Sequence, residues 1–203
     1  GMVARNTSTR IRSDAIRSRS SLTDAVERLL EEGRVDFSIP ELASEAGVGR
    51  IVYLGGLHPE GADLSEHLAS RVEVGQILLD GPVPAAVLQA AVVLGDGSVS
   101  FDMLRYLTER LPVMVAPQWL RNRIQPIAID DALHYLVGAA SLPAEVDRAF
   151  DIGGPEVLTY EQMIQRFAAV TGLRRRVVLT LPVLTPWLAS HWVGLVTPVD
   201  AAV

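Results

Sequence analysis

From Ile51 onward, short apolar runs rich in β-branched residues alternate with segments of helical periodicity, and this alternation constrains the fold more than any other feature. The runs are Ile51–Gly56 ("IVYLGG"), Val87–Leu94 ("VLQAAVVL"), Arg123–Ile129 ("RIQPIAI"), Arg148–Gly154 ("RAFDIGG") and Val177–Leu181. Between them, Leu64–Leu79 and Phe101–Arg110 read as helices, and Asp130 is expected to cap a helix behind the third run. Thr159 and Gln162 have the spacing of a capping box for a helix reaching Thr171. Near-continuous apolar runs belong to strands buried on both faces, a property of parallel sheets covered by crossover helices. Residues 50–181 are therefore expected to form an α/β domain, a partial parallel sheet with covering helices.

The residues before that domain have a different character. Ala15, Ile16, Leu22, Ala25, Val26, Leu29 and Leu30 recur at helical spacing, and Gly33 supplies the left-handed residue that comes after many helix ends, which predicts a helix over residues 13–32. Ser38 stands three residues before Glu41, with Pro40 tolerated in the first turn, so a second helix is expected to run to about Gly47. Residues 13–49 thus read as a helical appendage. Residues 1–12 read as a tag remnant (Gly1-Met2) and a flexible basic arm, and residues 182–203 as an apolar tail interrupted by Pro182, Pro186 and Pro198. Charge obeys the same division. Arg5, Arg10, Arg12, Arg17 and Arg19 face only Asp14 in the first twenty residues, whereas ten arginines face sixteen acids from Ile51 on.

Two resemblances overlap at Ala46–Arg50. "RSDAIRSRSSLTDAVERLLEEGRVDFSIPELASEAGVGR" resembles the start of a tetracycline-repressor-type DNA-binding domain, in which a recognition helix would come next. "AGVGRIVYLGGLHPEG" is similar to the segment of short-chain dehydrogenase/reductases in which a central strand leads to the active-site loop. "LQAAVVLGDG", "RIQPIAIDDAL" and "FDIGGPEVLTYEQMI" resemble later segments of the extended, epimerase- and dehydratase-like members. Together these imply the C-terminal part of a Rossmann-type oxidoreductase joined at residues 46–50 to a partial helix-turn-helix, a chimera. The element directly after Arg50 discriminates the two, since a helix there favours the repressor and a buried strand the reductase.

The reductase resemblance implies site residues. Its chemistry uses a tyrosine and a lysine four apart on a helix; His67 and Arg71 hold that register here and are the catalytic candidates. Gly55 and Gly56, in the turn after the strand, and Ala90 and Val93, in the segment that lies near a nicotinamide, are candidate cofactor contacts. Arg121 and Arg123 are candidates for a polar substrate, and Arg12, Arg17 and Arg50 for nucleic acid. The cofactor implied is NAD or NADP. Binding by this chain is nevertheless expected to be weak, because Gly47-Val48-Gly49 precedes a strand instead of succeeding one and lacks the third glycine of G-x-G-x-x-G. The half that holds the dinucleotide is expected to be missing.

Composition removes other chemistries. The chain has no cysteine and no lysine, so it can form no disulfide, cysteine metal site, Schiff-base lysine or Walker-type phosphate site. Its four histidines lack metal-ligand spacing, and a metal is not expected. The leading expectation is an atypical reductase-like fragment, not competent alone, with an unknown small-molecule substrate. The rivals are a DNA-binding regulator and a non-catalytic interaction module. Contacts with DNA are expected to be weak and non-specific, self-association to run through the apolar tail, and the location to be cytoplasmic without a transmembrane segment.

Overall fold

The computed structural model describes residues 17, 19–58 and 64–181, the side chains of 119 and 181 excepted. The chain divides into two compact units, residues 1–89 with 136–150 and residues 90–135 with 151–203.

The first unit begins with α1 (residues 19–31), whose Ala25 and Leu29, one turn apart, are buried. Gly33 ends it at φ +77°. Next, α2 (Ile39–Glu45) opens on the expected capping box: the Ser38 hydroxyl accepts from the Glu41 N–H at 3.4 Å while the Ser38 N–H donates to the Glu41 carboxylate at 2.7 Å. Gly47, at φ +67°, lies just past its end. After Arg50 the chain enters β1 (Ile51–Gly56), a strand where a repressor domain would need its reading helix. It continues through α3 (Glu66–Leu79), capped by Ser65, into β2 (Ala85–Ala90).

In the three-stranded sheet β2 lies between β1 and β7 (Arg148–Ile152). That central place explains its composition. Ala85, Ala86, Val87 and Leu88 are all at most 3% exposed, as a strand covered on both faces requires. The Ala85 N–H, at the strand's start, donates to the Asp147 carboxylate at 2.9 Å.

The second unit holds β3 (Val92–Leu94), α4 (Val99–Arg110), β4 (Val113–Pro117), a 3-10 turn (Gln118–Arg121), β5 (Arg123–Ile124) and β6 (Pro126–Ala128). Helix α5 (Ile129–Ala139) starts in this unit, and β8 (Leu158–Thr159), α6 (Tyr160–Val170) and β9 (Val177–Leu181) complete it. Strands β3 and β6 pair in parallel, as do β4 and β9, whereas β5 and β8 pair antiparallel. Met114 and Ala116 of β4 turn inward and pack with Leu120 and Ile164 in one buried apolar cluster of this unit. Helix α6 carries the expected capping box between Thr159 and Gln162. The fold is thus α/β, with parallel strand pairing and covering helices.

Three expectations need correction. Val87–Leu94 is not one strand: the chain steps at Ala91, and β3 pairs with β6 instead of continuing the β1-β2-β7 sheet. Arg123–Ile129 divides at Gln125, its first half bonding antiparallel to β8 and its second parallel to β3. Pro126, at the first position of β6, has no N–H to extend the antiparallel ladder. Asp130 lies in the first turn of α5, which already begins at Ile129, so it does not cap that helix. Strand β4 was not foreseen, although Val113-Met114-Val115-Ala116 alternates exposed and buried with the period of a half-buried strand.

Candidate functional site

A cavity of about 90 Å³ lies in the first unit, where the end of β1 meets α3. Gly55, Gly56 and His58 contribute from the strand and the turn after it, and Arg71, Gly75 and Gln76 from the helix. Local sequence rules explain why these positions face it. Arg71 and Gly75 are four apart and so share one helix face. Gly56 lies close against α3: a Cβ there would stand 2.6 Å from the Leu68 Cδ1, so any side chain would make that leucine shift. Both glycines, expected in a turn, are the last two residues of β1; Leu68 of α3 packs against Gly56, and the end of the strand presents backbone to the cavity. Gly75 keeps the opposite wall thin, as a Cβ on it would come within 3.2 Å of Val87.

Two imidazoles flank this site differently. His67 is exposed and does not line the cavity; its Nε2 accepts a hydrogen bond from Arg71 Nε at 3.1 Å. His58 does line the cavity, with Nδ1 3.2 Å from the Gly56 carbonyl oxygen. The structure thus joins Arg71, Gly55 and Gly56 in one cavity and leaves His67 behind Arg71.

The remaining candidates are dispersed through the fold. Ala90 is buried at the end of β2, and Val93, on β3, accepts the Ser98 hydroxyl on its carbonyl at 2.8 Å. Arg121 closes the 3-10 turn and Arg123 lies on β5 opposite Thr159, both exposed. Of the nucleic-acid candidates, Arg12 lies outside the described residues and Arg17, helical and exposed, stands two residues before α1. Arg50 has a role inside the fold: its guanidinium donates to the Val146 carbonyl at 2.7 Å and to the Pro143 carbonyl at 2.5 Å, tying the loop before β7 to the start of β1.

His58, Gly75 and Gln76 escaped the sequence reading. The i, i+4 spacing of Arg71 and Gly75 was a usable signal, whereas nothing local marks His58. The second unit has a wider, open depression of about 330 Å³ lined by Asp131, His134, Tyr135 and Gly153-Gly154-Pro155. Its polar side chains are exposed to solvent, and none of the residues expected to act lies in it. Among the described residues no cluster of histidines and acids could hold a metal, and no helix is long and apolar enough to cross a membrane.

No protein-family model and no curated protein sequence matches the chain. Solved structures do. MoeE5 in complex with UDP-glucose and NAD is 17% identical, with a TM-score of 0.57 over 71% of this chain and 55% of its own. UDP-glucose 4-epimerase from Thermotoga maritima, with UDP-glucose, is 16% identical, with a TM-score of 0.57 over 85% of this chain and 62% of its own. UDP-N-acetylglucosamine 4-epimerase from Bacillus cereus is 14% identical, with a TM-score of 0.55 over 81% and 64%. At such identities the likeness is one of fold: a Rossmann-like α/β architecture of the kind found in NAD-bound sugar epimerases. The chain spans 55% to 64% of the length of these structures.

Proposed function

We propose that this chain carries the nicotinamide-facing and substrate-side part of an atypical, extended short-chain reductase-like oxidoreductase, with NAD or NADP as cofactor and a polar small molecule as substrate. The observation that carries the reading is the cavity at the end of β1, which Gly55 and Gly56 of the strand and Arg71 of α3 line together. The epimerase-like fold supports it, and nucleotide sugars, the ligands of the like-folded proteins, are the substrate class to try first.

The residues fit one end of a dinucleotide. Arg71, permanently protonated, can donate to ribose hydroxyls or a carboxamide oxygen, and the two glycines that end β1 admit a flat ring close to the backbone. They do not fit the other end. No glycine turn leading from a strand into a helix N-terminus matches the dinucleotide fingerprint among the described residues, so nothing there would anchor a pyrophosphate. Bound, the cofactor would supply hydride chemistry; this chain's residues orient its reactive ring and hold the substrate.

Saturation-transfer NMR with NAD at millimolar concentration tests the reading. The nicotinamide protons are expected to receive more saturation from the protein than the adenine protons. Transfer to adenine alone, or to neither ring, would overturn the proposal.

A further inference from the structure

The two imidazoles near Arg71 are not equivalent, and the difference lies in which nitrogen of each is already engaged. His67 has spent its basic nitrogen, since Nε2 accepts from Arg71 Nε at 3.1 Å. A proton arriving there would break that hydrogen bond and set an imidazolium against a guanidinium. The ring is also exposed and outside the cavity lining. His58 is arranged the other way. A carbonyl oxygen can only accept, so the Gly56 carbonyl 3.2 Å from Nδ1 places the ring proton on Nδ1 and leaves a lone pair on Nε2. No hydrogen bond occupies that Nε2 among the described residues, and the ring is partly buried and lines the same cavity as Arg71. Among the described residues, Arg71 is the only other ionisable side chain on that lining.

We infer that His58, and not His67, is the proton-transferring group of this cavity, with Arg71 as its binding cation. The inference rests on the reading of the cavity as the site of a nicotinamide and its reacting partner. In the step it assigns, the O–H bond of a ligand hydroxyl breaks as an Nε2–H bond forms on His58, and the ring becomes imidazolium. The Gly56 carbonyl keeps the Nδ1 proton throughout, and Arg71 never gives up its own. The position is also a consequence of the fold: His58 comes two residues after the strand ends, so its ring sits at the end of β1, where ligands of open α/β sheets gather.

The test uses the full chain and nicotinamide mononucleotide, titrated to millimolar concentration, with the histidine ring resonances assigned from His58→Gln and His67→Gln. The His58 ring resonances are expected to move with a saturable dependence on the mononucleotide, and those of His67 by less than a quarter as much. If His67 moves as far as His58 or farther, the assignment to His58 is overturned while the reading of the cavity stands. If no histidine resonance of the cavity moves although the nicotinamide protons receive saturation from the protein, His58 does not touch the ligand and the inference again fails alone. If neither the resonances nor the nicotinamide protons respond, both fall together. Arg71→Met serves as a folded reference in which the His58 shift should shrink at least threefold.

Discussion

Arg50 offers the sharpest contrast between a surface charge and a structural one. Its guanidinium closes two hydrogen bonds, 2.7 Å to the Val146 carbonyl and 2.5 Å to the Pro143 carbonyl, across more than ninety residues of chain. In Arg50→Met the aliphatic stem survives and both bonds are lost. The Pro143 carbonyl still accepts from the Val146 N–H at 3.0 Å, so only the Val146 carbonyl loses a partner outright. A hydrogen bond from a charged donor contributes about 1.5–3 kcal/mol, and the exposure of the Pro143 bond argues for the low end, giving roughly 2 kcal/mol in all. For a chain of this size that lowers the midpoint of thermal unfolding by about 4–8 °C. In urea, with a slope of about 2 kcal/mol per molar, the midpoint falls by about 1 M. Arg50→Lys, a single point donor, should recover no more than half. Far-UV circular dichroism during urea unfolding measures both variants. A loss below about 0.5 kcal/mol for Arg50→Met, the scatter of ordinary surface substitutions, would refute the structural role. The same variant bears on DNA: were Arg50 on a phosphate, the salt dependence of binding would flatten by about 0.9 in log-log slope, and no change is expected.

Glu41 is held below its ordinary value of 4.5 chiefly by the Ser38 backbone N–H, then by the Ser38 side chain, against a small opposing desolvation and with help from Arg34. A lowered folded-state pKa means that the stabilisation is present above the ordinary value and lost as pH falls through the folded one, so the stability gap between native chain and Glu41→Gln should be open at about pH 7 and narrow steadily as the pH is lowered below the ordinary value in parallel urea titrations. Gly154→Ala should cost about 3 kcal/mol or leave the second unit unfolded, because its Cβ would stand 2.4 Å from the Pro126 backbone oxygen; native-like stability would show that this turn can give way. Calorimetry should find no affinity of NADH or NADPH in the micromolar range, for want of pyrophosphate anchors, and a measured value there would contradict it. In mobility shifts at physiological salt, random DNA should compete as well as any one operator, since a strand at Ile51–Gly56 replaces a helix that could read base edges; one preferred sequence would overturn this.

Helix ends were the most legible features. Ser38 with Glu41 and Thr159 with Gln162 cap their helices as their spacing foretold, because a capping box closes within one turn and needs no distant partner. Gly33 and Gly47 are left-handed for the same local reason. The strand after Arg50 was legible too: β-branched apolar residues ended by two glycines leave few alternatives. Within the site, the glycine pair and Arg71 could be proposed from the sequence, but His58 could not, because what distinguishes it is the Gly56 carbonyl and the cavity beside it.

Composition and local pattern by themselves determined the α/β class, most element positions, the two capping boxes, and the chemistries that a chain without cysteine or lysine cannot perform. Only the tertiary structure decided where pairing changes. The break at Ala91 sends one apolar run into two sheets, and Gln125 divides another between antiparallel and parallel partners. It also decided that Arg50 is a tie to Pro143 and Val146 and that residues from β1, α3 and β2 share one cavity. The reason is one of range: helix caps and turns are settled by groups within about four residues, whereas strand register and side-chain partners depend on surfaces supplied by segments dozens of residues away, which local sequence does not encode.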